Sequence, residues 1–157
     1  MRGVRHLLHL IGRFTRQIDR RPPSPRLAAW AERHLLPGER ALWIRLGNGD
    51  RRHAIGVAQR FAESRAVSTR AEIAGVLLHD IGKVDGPEGA ISRAWMTVNP
   101  RSGAATRRYR DHERIGAELC ERAGSDPVTI DLIRGAGSHE LVQALKAADS
   151  SSGFQRP

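Results

Sequence analysis

The sequence predicts an all-α fold, a compact bundle of about six to seven helices. Three observations carry this. Apolar residues recur at three- and four-residue spacings along most of the chain, the period of a helix with one buried face. Glycines, prolines and capping residues fall at intervals suited to helix ends. No stretch alternates apolar and polar residues as a half-buried strand would, and no internal repeat is visible.

The elements follow in order. Residues 1–25 read as a basic, partly flexible leader. It ends in the stiff run RRPPSP, where Pro22, Pro23 and Pro25 forbid a helix. Within it Val4, Leu7, Leu8, Ile11 and Phe14 share one helical face, flanked by Arg2, Arg5, Arg13 and Arg16. Such a face suits an anionic surface, but a packed or frayed terminal helix is the simpler reading. The domain proper spans 26–149. A helix over 26–36 is expected, stopped by Pro37-Gly38, then one over 39–46, ended by Gly47-Asn48-Gly49. Asp50 can cap a third, over 51–64, with Ala54, Val57, Ala58 and Phe61 on one face. Thr69 and Glu72 form a capping box that opens a fourth helix, running to about Asp80. Residues 84–110 read as loop, with Gly86-Pro87, Asn99-Pro100 and Ser102-Gly103. Asp111 can cap a helix over 112–123, which Gly124 stops. Asp126-Pro127 starts another through a side-chain cap, and Gly135-Ala136-Gly137 breaks it. Ser138 caps a last helix over 139–149. Residues 150–157 are an expected disordered tail.

Composition narrows the function classes. With 157 residues, one domain with a real core is expected. A single cysteine, Cys120, excludes a disulfide framework and suits a reducing, cytoplasmic setting. No apolar run reaches the roughly 18 residues that span a bilayer. The start, MRGVRHLLHLIGRF, is too short and too interrupted for a signal peptide. The net charge of +9 favours phosphate-bearing partners. All but two of the 26 basic residues are arginines, however, and Lys83 and Lys146 are the exceptions. This uniform use of arginine resembles a coding bias more than a designed patch. Aromatic residues make up only 4% of the chain, too few for a base-stacking platform. Nucleic acid is therefore a possible partner but not a favoured one.

The chemistry concentrates in LLHDIGK. The adjacent His79 and Asp80 set a neutral nitrogen ligand beside a hard carboxylate, a natural seat for a divalent metal. Two ligands cannot fill a coordination sphere, so partners are required. Of seven histidines, His6, His9 and His34 have no acidic neighbours arranged for the task. His53, His79, His112 and His139 fall on four different expected helices, as in a site assembled within a bundle. His53 shares a stripe with Val57 and Phe61, His112 with Ile115 and Leu119, and Asp149 with Val142 and Leu145. Asp80 continues the stripe of Ile73, Val76 and Leu77, and His139 lies nearer the edge of its own. Facing several His and Asp side chains inward without partners would cost several kcal/mol each, which shared metal coordination removes.

In this order the residues resemble the HD-domain superfamily of metal-dependent phosphohydrolases: a His, a His-Asp pair, often two more His, and a closing Asp. The resemblance covers about residues 39–149. It rests on His53 in DRRHAIGVAQRF, His79-Asp80 in LLHDIGK, His112 in YRDHERIGAELC, His139 in GSHELV and Asp149 in LKAAD. Ser138-His139 stands where many two-metal members carry adjacent histidines. The resemblance implies a helical bundle with one or two divalent ions (Mn, Fe, Co, Ni or Mg). His53, His79, Asp80 and Asp149 would hold the first. With a second, Asp80 would bridge, and His112 and His139 would complete its shell. Asp80 and Lys83 would be the catalytic pair, with Lys83 on a phosphate oxygen. Arg52, Arg108 and Arg110 are further candidates for phosphate contact, and Trp95 for a lid. The activity implied is phosphomonoester or phosphodiester hydrolysis, with a nucleotide or another small phosphorylated compound as substrate. A non-catalytic metal-binding regulatory module and a di-iron oxygenase are the alternatives.

Overall fold

A computed structural model describes residues 21–84 and 104–151. Among these are seven α-helices and no strand, so the fold is all-α. They are α1 (Pro25–Glu32), α2 (Pro37–Trp43), α3 (Asn48–Glu63), α4 (Arg70–Leu77), α5 (Ala104–Arg122), α6 (Pro127–Arg134) and α7 (His139–Ser150). A 3-10 turn at Ile81–Lys83 follows α4. No helix among the described residues is long and apolar enough to cross a membrane.

α4 is the central helix. Every residue from Ile73 to Leu78 is buried, as expected for a helix apolar all round. α3 covers one side of it and α6 another. α6 approaches closely because Gly75 leaves room for Leu132, and Thr129 Oγ1 donates to Ala71 O at 2.8 Å. α5 packs on α6 and on the 3-10 turn, and α2 leans on α5. α7 lies antiparallel on α3: Arg65 beyond the end of α3 pairs with Glu140 at the start of α7, while Arg60 donates to Ala148 O at 2.9 Å. The core runs from Leu42, Trp43 and Leu46 through Ile55, Val57 and Phe61 to Leu77, Ile81 and Cys120. Each large side chain buried there contributes about 1.5–3 kcal/mol.

Local signals set several ends as expected. Thr69 Oγ1 accepts from Glu72 N while Glu72 accepts from Thr69 N, which starts α4. Gly124 and Gly135 take left-handed backbone (φ 74° and 70°) and end α5 and α6. Ser138 Oγ accepts from Leu141 N and opens α7.

Other ends differ from expectation, each for a physical reason. Pro37 opens α2 rather than stopping α1, because proline at a first helical position gives up no bond. Glu39 caps the free amide of Leu36 at 2.7 Å. α1 ends at Glu32 and α2 at Trp43, each followed by a turn. α3 begins at Asn48, with Asp50 in its first turn, where a carboxylate suits the helix dipole. Asp111 is not a cap. α5 already begins at Ala104, and nothing between Gly103 and Asp111 breaks a helix. Asp126 makes no side-chain cap, since its carboxylate pairs with Arg70. α7 continues through Ser150, whose hydroxyl, like that of Ser151, donates to Ala147 O. The leader helix, Trp95 and the end of the tail lie outside the described residues.

Candidate metal centre

The His79-Asp80 pair sits past the end of α4, not within it. The helix tightens there: Ile81 N donates to Leu78 O, Lys83 N to Asp80 O, and Val84 N to Ile81 O, all three residues back. This turn lies against α5 with almost no gap. A Cβ on Gly82 would stand 2.0 Å from His112 O, and one on Gly116 would be 3.3 Å from Gly82 N. The glycines of HDIGK and HERIGAEL are thus the contact that fixes the pair, and they bring the His112 backbone beside it.

His79 is oriented by its own helix. Its Nδ1 lies 2.8 Å from Val76 O, a carbonyl that can only accept, so Nδ1 carries the proton and Nε2 the lone pair. That Nε2 is buried and has no hydrogen-bond partner among the described residues. It stands 3.5 Å from Asp80 Oδ1. From α3, His53 brings its ring centroid to 5.9 Å from that of His79. One donor atom each from His53, His79 and Asp80 lie within 4.8 Å of one another. From the last turn of α7, Asp149 reaches His53, with Oδ1 3.0 Å from Nε2.

The charges are matched to the donors. Burial alone would raise the Asp80 carboxyl, but His79, Lys83 and His53 outweigh it and hold the group well below the usual carboxylate range. The hydrogen bond from His53 holds Asp149 low as well, against some burial. Both aspartates are therefore anions at neutral pH. Lys83 Nζ lies 2.6 Å from Asp80 Oδ1.

These residues fit a divalent ion. Two donors bound to one ion at about 2.1 Å stand roughly 3.0–3.4 Å apart for angles between about 90° and 109°. The His53–Asp149 and His79–Asp80 separations of 3.0 and 3.5 Å are of that size. The partnerless lone pair of His79 gives the group one donor that only a cation or a water can use.

No family model, curated protein or solved structure matches the chain. The reading of the site therefore rests on its own geometry.

Of the residues expected in a metal site, three come together, His53, His79 and Asp80, and Asp149 adjoins them through its contact with His53 but is not within 4.8 Å of all three. His112 is adjacent through its backbone, and its half-buried ring has a buried Nδ1 without a partner among the described residues. The structure does not bring His139 to this group. His139 is exposed in the first turn of α7, while Asp149 is near its other end. Ten residues of one straight helix separate them by about 15 Å. The group also lies nearer the surface than its stripes suggest, with the side chains of His53 and Asp149 33% and 47% exposed. Both residues are near helix ends, where the apolar stripe runs out beyond the core. Arg52 contacts the backbone carbonyl of Arg21, and the side chains of Arg108 and Arg110 lie outside the described residues. Cys120 is a buried core residue. The carbonyl of Val76, which orients His79, and the Gly82–Gly116 contact were not foreseen. The only sequence trace of the second is the glycine in each motif.

Proposed function

We propose that the chain is a metal-dependent phosphohydrolase that cleaves a small phosphate ester, a nucleotide among the candidates. The observation that carries this is the His79 imidazole. It is locked by Val76 into the tautomer of a metal ligand, and its buried lone pair faces an aspartate and a second histidine. His53, His79, Asp80 and Asp149 would hold the ion. When bound, such an ion lowers the pKa of its water toward about 7 and polarises a phosphoryl oxygen. The protein groups do the rest. Val76 O fixes the ring of His79. Asp80 and Asp149 supply the negative charge that keeps the centre from becoming too cationic. The partial exposure of His53 and Asp149 leaves an open side toward solvent, which a substrate needs. Lys83, on a flexible stem 45% exposed, can reach a phosphate oxygen as a point charge.

One ion is the reading favoured here, because His139 stands away from the group. That also weakens a di-iron oxygenase, which needs a second complete shell. Mn, Fe, Co, Ni and Mg all suit such nitrogen and oxygen donors. A cytoplasmic setting fits the unpaired cysteine.

Metal analysis and titration of the purified protein with Mn2+, Co2+, Ni2+ and Mg2+ test the site. A screen of nucleotides and p-nitrophenyl phosphate with the bound metal tests the reaction. The expected result is about one ion per chain and metal-dependent phosphate release, both lost in Asp80→Ala. Full metal content in a folded Asp80→Ala protein removes the site assignment. Metal binding without hydrolysis of any ester favours the regulatory module.

A further inference from the structure

We infer that Lys83 is an internal counter-cation of the metal centre: it holds Asp80 in the empty site, and a divalent ion must displace it to bind. This rests on the metal site proposed above and adds a competitor to it.

The geometry gives three reasons. First, the 3-10 turn fixes the pairing. In such a turn side chains three residues apart lie over one another, so Lys83 is set above Asp80 by the backbone itself. Second, the lysine does half of the ion's work. Its Nζ is 2.6 Å from Asp80 Oδ1, the oxygen that also faces His79 Nε2 at 3.5 Å. The carboxylate is thereby neutralised, while His79 Nε2 keeps no partner among the described residues. An ion that contacts both atoms satisfies both, which a lysine on Asp80 alone does not. Third, displacement is easy. Lys83 is 45% exposed, so its ammonium can leave Asp80 for water by rotation of the stem. Two cations cannot both stay against one carboxylate oxygen, because the ion would repel the ammonium at that distance.

The exchange has a direction that can be measured. The lysine weakens metal binding by the worth of its ion pair and keeps the empty site from carrying an unpaired carboxylate. Replacing it with an uncharged side chain of similar length should tighten metal binding by about five- to tenfold, the range for a partly exposed, charge-assisted pair.

The test is calorimetric titration with Mn2+ of the full chain as wild type, Lys83→Met and Lys83→Arg. Lys83→Met should bind about five- to tenfold more tightly, and Lys83→Arg, which keeps the cation, should stay near wild type. Equal or weaker binding by Lys83→Met, with the ion still bound, overturns the exchange and leaves the metal site standing. No binding by any of the three overturns both. A second measurement uses the wild-type protein alone, in case a variant fails to fold. Acetylation is followed at the two lysines by mass spectrometry, with Mn2+ or with chelator. Lys83 should react several-fold faster with Mn2+, while Lys146, exposed on α7, serves as the reference. An unchanged ratio of Lys83 to Lys146 labelling overturns the proposal.

Discussion

His79 makes one side-chain hydrogen bond and goes without another. Its Nδ1 is matched to Val76 O, and its buried Nε2, beside Asp80 and His53, has no hydrogen-bond partner among the described residues. An unsatisfied buried polar atom costs about 1–3 kcal/mol. The metal-free protein carries that cost, so removing it should help. His79→Leu is expected to leave the metal-free protein within about 1 kcal/mol of wild type, or more stable, while abolishing metal binding. Urea unfolding with chelator and titration with Mn2+ check the two halves, and a loss above about 2 kcal/mol would show that the ring is needed for packing. Cys120 tells the opposite story, of a residue buried for the core alone. Burial pushes its thiol up to about 12, only partly offset by the nearby polar side chain of Ser125. The folded state therefore prefers the neutral thiol. Its contribution is intact below the unfolded value of about 8.5 and is lost as pH rises toward about 12. Between about pH 8 and 10.5, wild type should lose on the order of 2 kcal/mol more stability than Cys120→Val. Equal losses in the two proteins would contradict this. Cys120 was legible as core from its place beside Leu119 on an apolar stripe. The tautomer of His79 was not, because a carbonyl partner leaves no mark on the residue letters.

At the scale of elements, the contact between the 3-10 turn and α5 decides where the His-Asp pair stands. Gly82 has no room for a methyl group: its Cβ would meet His112 O at 2.0 Å, His112 C at 2.9 Å and Gly116 N at 2.8 Å, all backbone. Backbone atoms cannot rotate away, so α5 would have to move. Gly82→Ala is expected to cost about 2–3 kcal/mol and to weaken Mn2+ binding at least about tenfold, since the pair moves with the turn. Gly124→Ala is the control. It also strains the backbone, at φ 74°, but nothing lies within 4 Å of its Cβ. It should cost about 1 kcal/mol and leave the metal affinity unchanged. If Gly82→Ala were as stable as wild type, the close approach would not be real. The contrast also explains which elements the sequence reveals. The Thr69 box, the Ser138 cap and the Gly124 stop act within a few residues of themselves, so their letters suffice. The early start of α5 and the end of α4 before His79 depend on what the next element requires. HDIGK continues an apolar helical pattern in letters, and only its packing against Gly116 turns it into a 3-10 turn.

At the scale of the molecule, the fold depends on two separate closures. One brings His53 and Asp149, 96 residues apart, together by laying α7 along α3. The ordered set of His and Asp residues made that closure legible, because each ligand demanded the others. The second closure was hidden. Glu39 looks like a surface capping residue at the start of α2, yet it is fully buried. Arg70, at the start of α4, bonds Glu39 Oε2 at 3.0 Å and the carbonyl of His34 at 3.1 Å, and also pairs with Asp126 before α6. One guanidinium thus ties α2, α4 and α6 at the end of α4 away from His79. Arg70→Met would leave Glu39 buried with its charge unpaired. Discounted for the partial exposure of Arg70, the expected loss is about 2–3 kcal/mol, and Glu39→Leu on the same chain should restore most of it. Mn2+ affinity should stay at wild-type level in every folded member of this cycle, because α4, at about 1.5 Å per residue, puts Arg70 roughly 12 Å from the metal centre. Denaturant unfolding and metal titration of the single and double variants check both statements. A folded Arg70→Met protein with lost metal affinity would mean that the two ends of α4 are coupled, and that the network around Glu39 belongs to the site rather than to the scaffold beneath it.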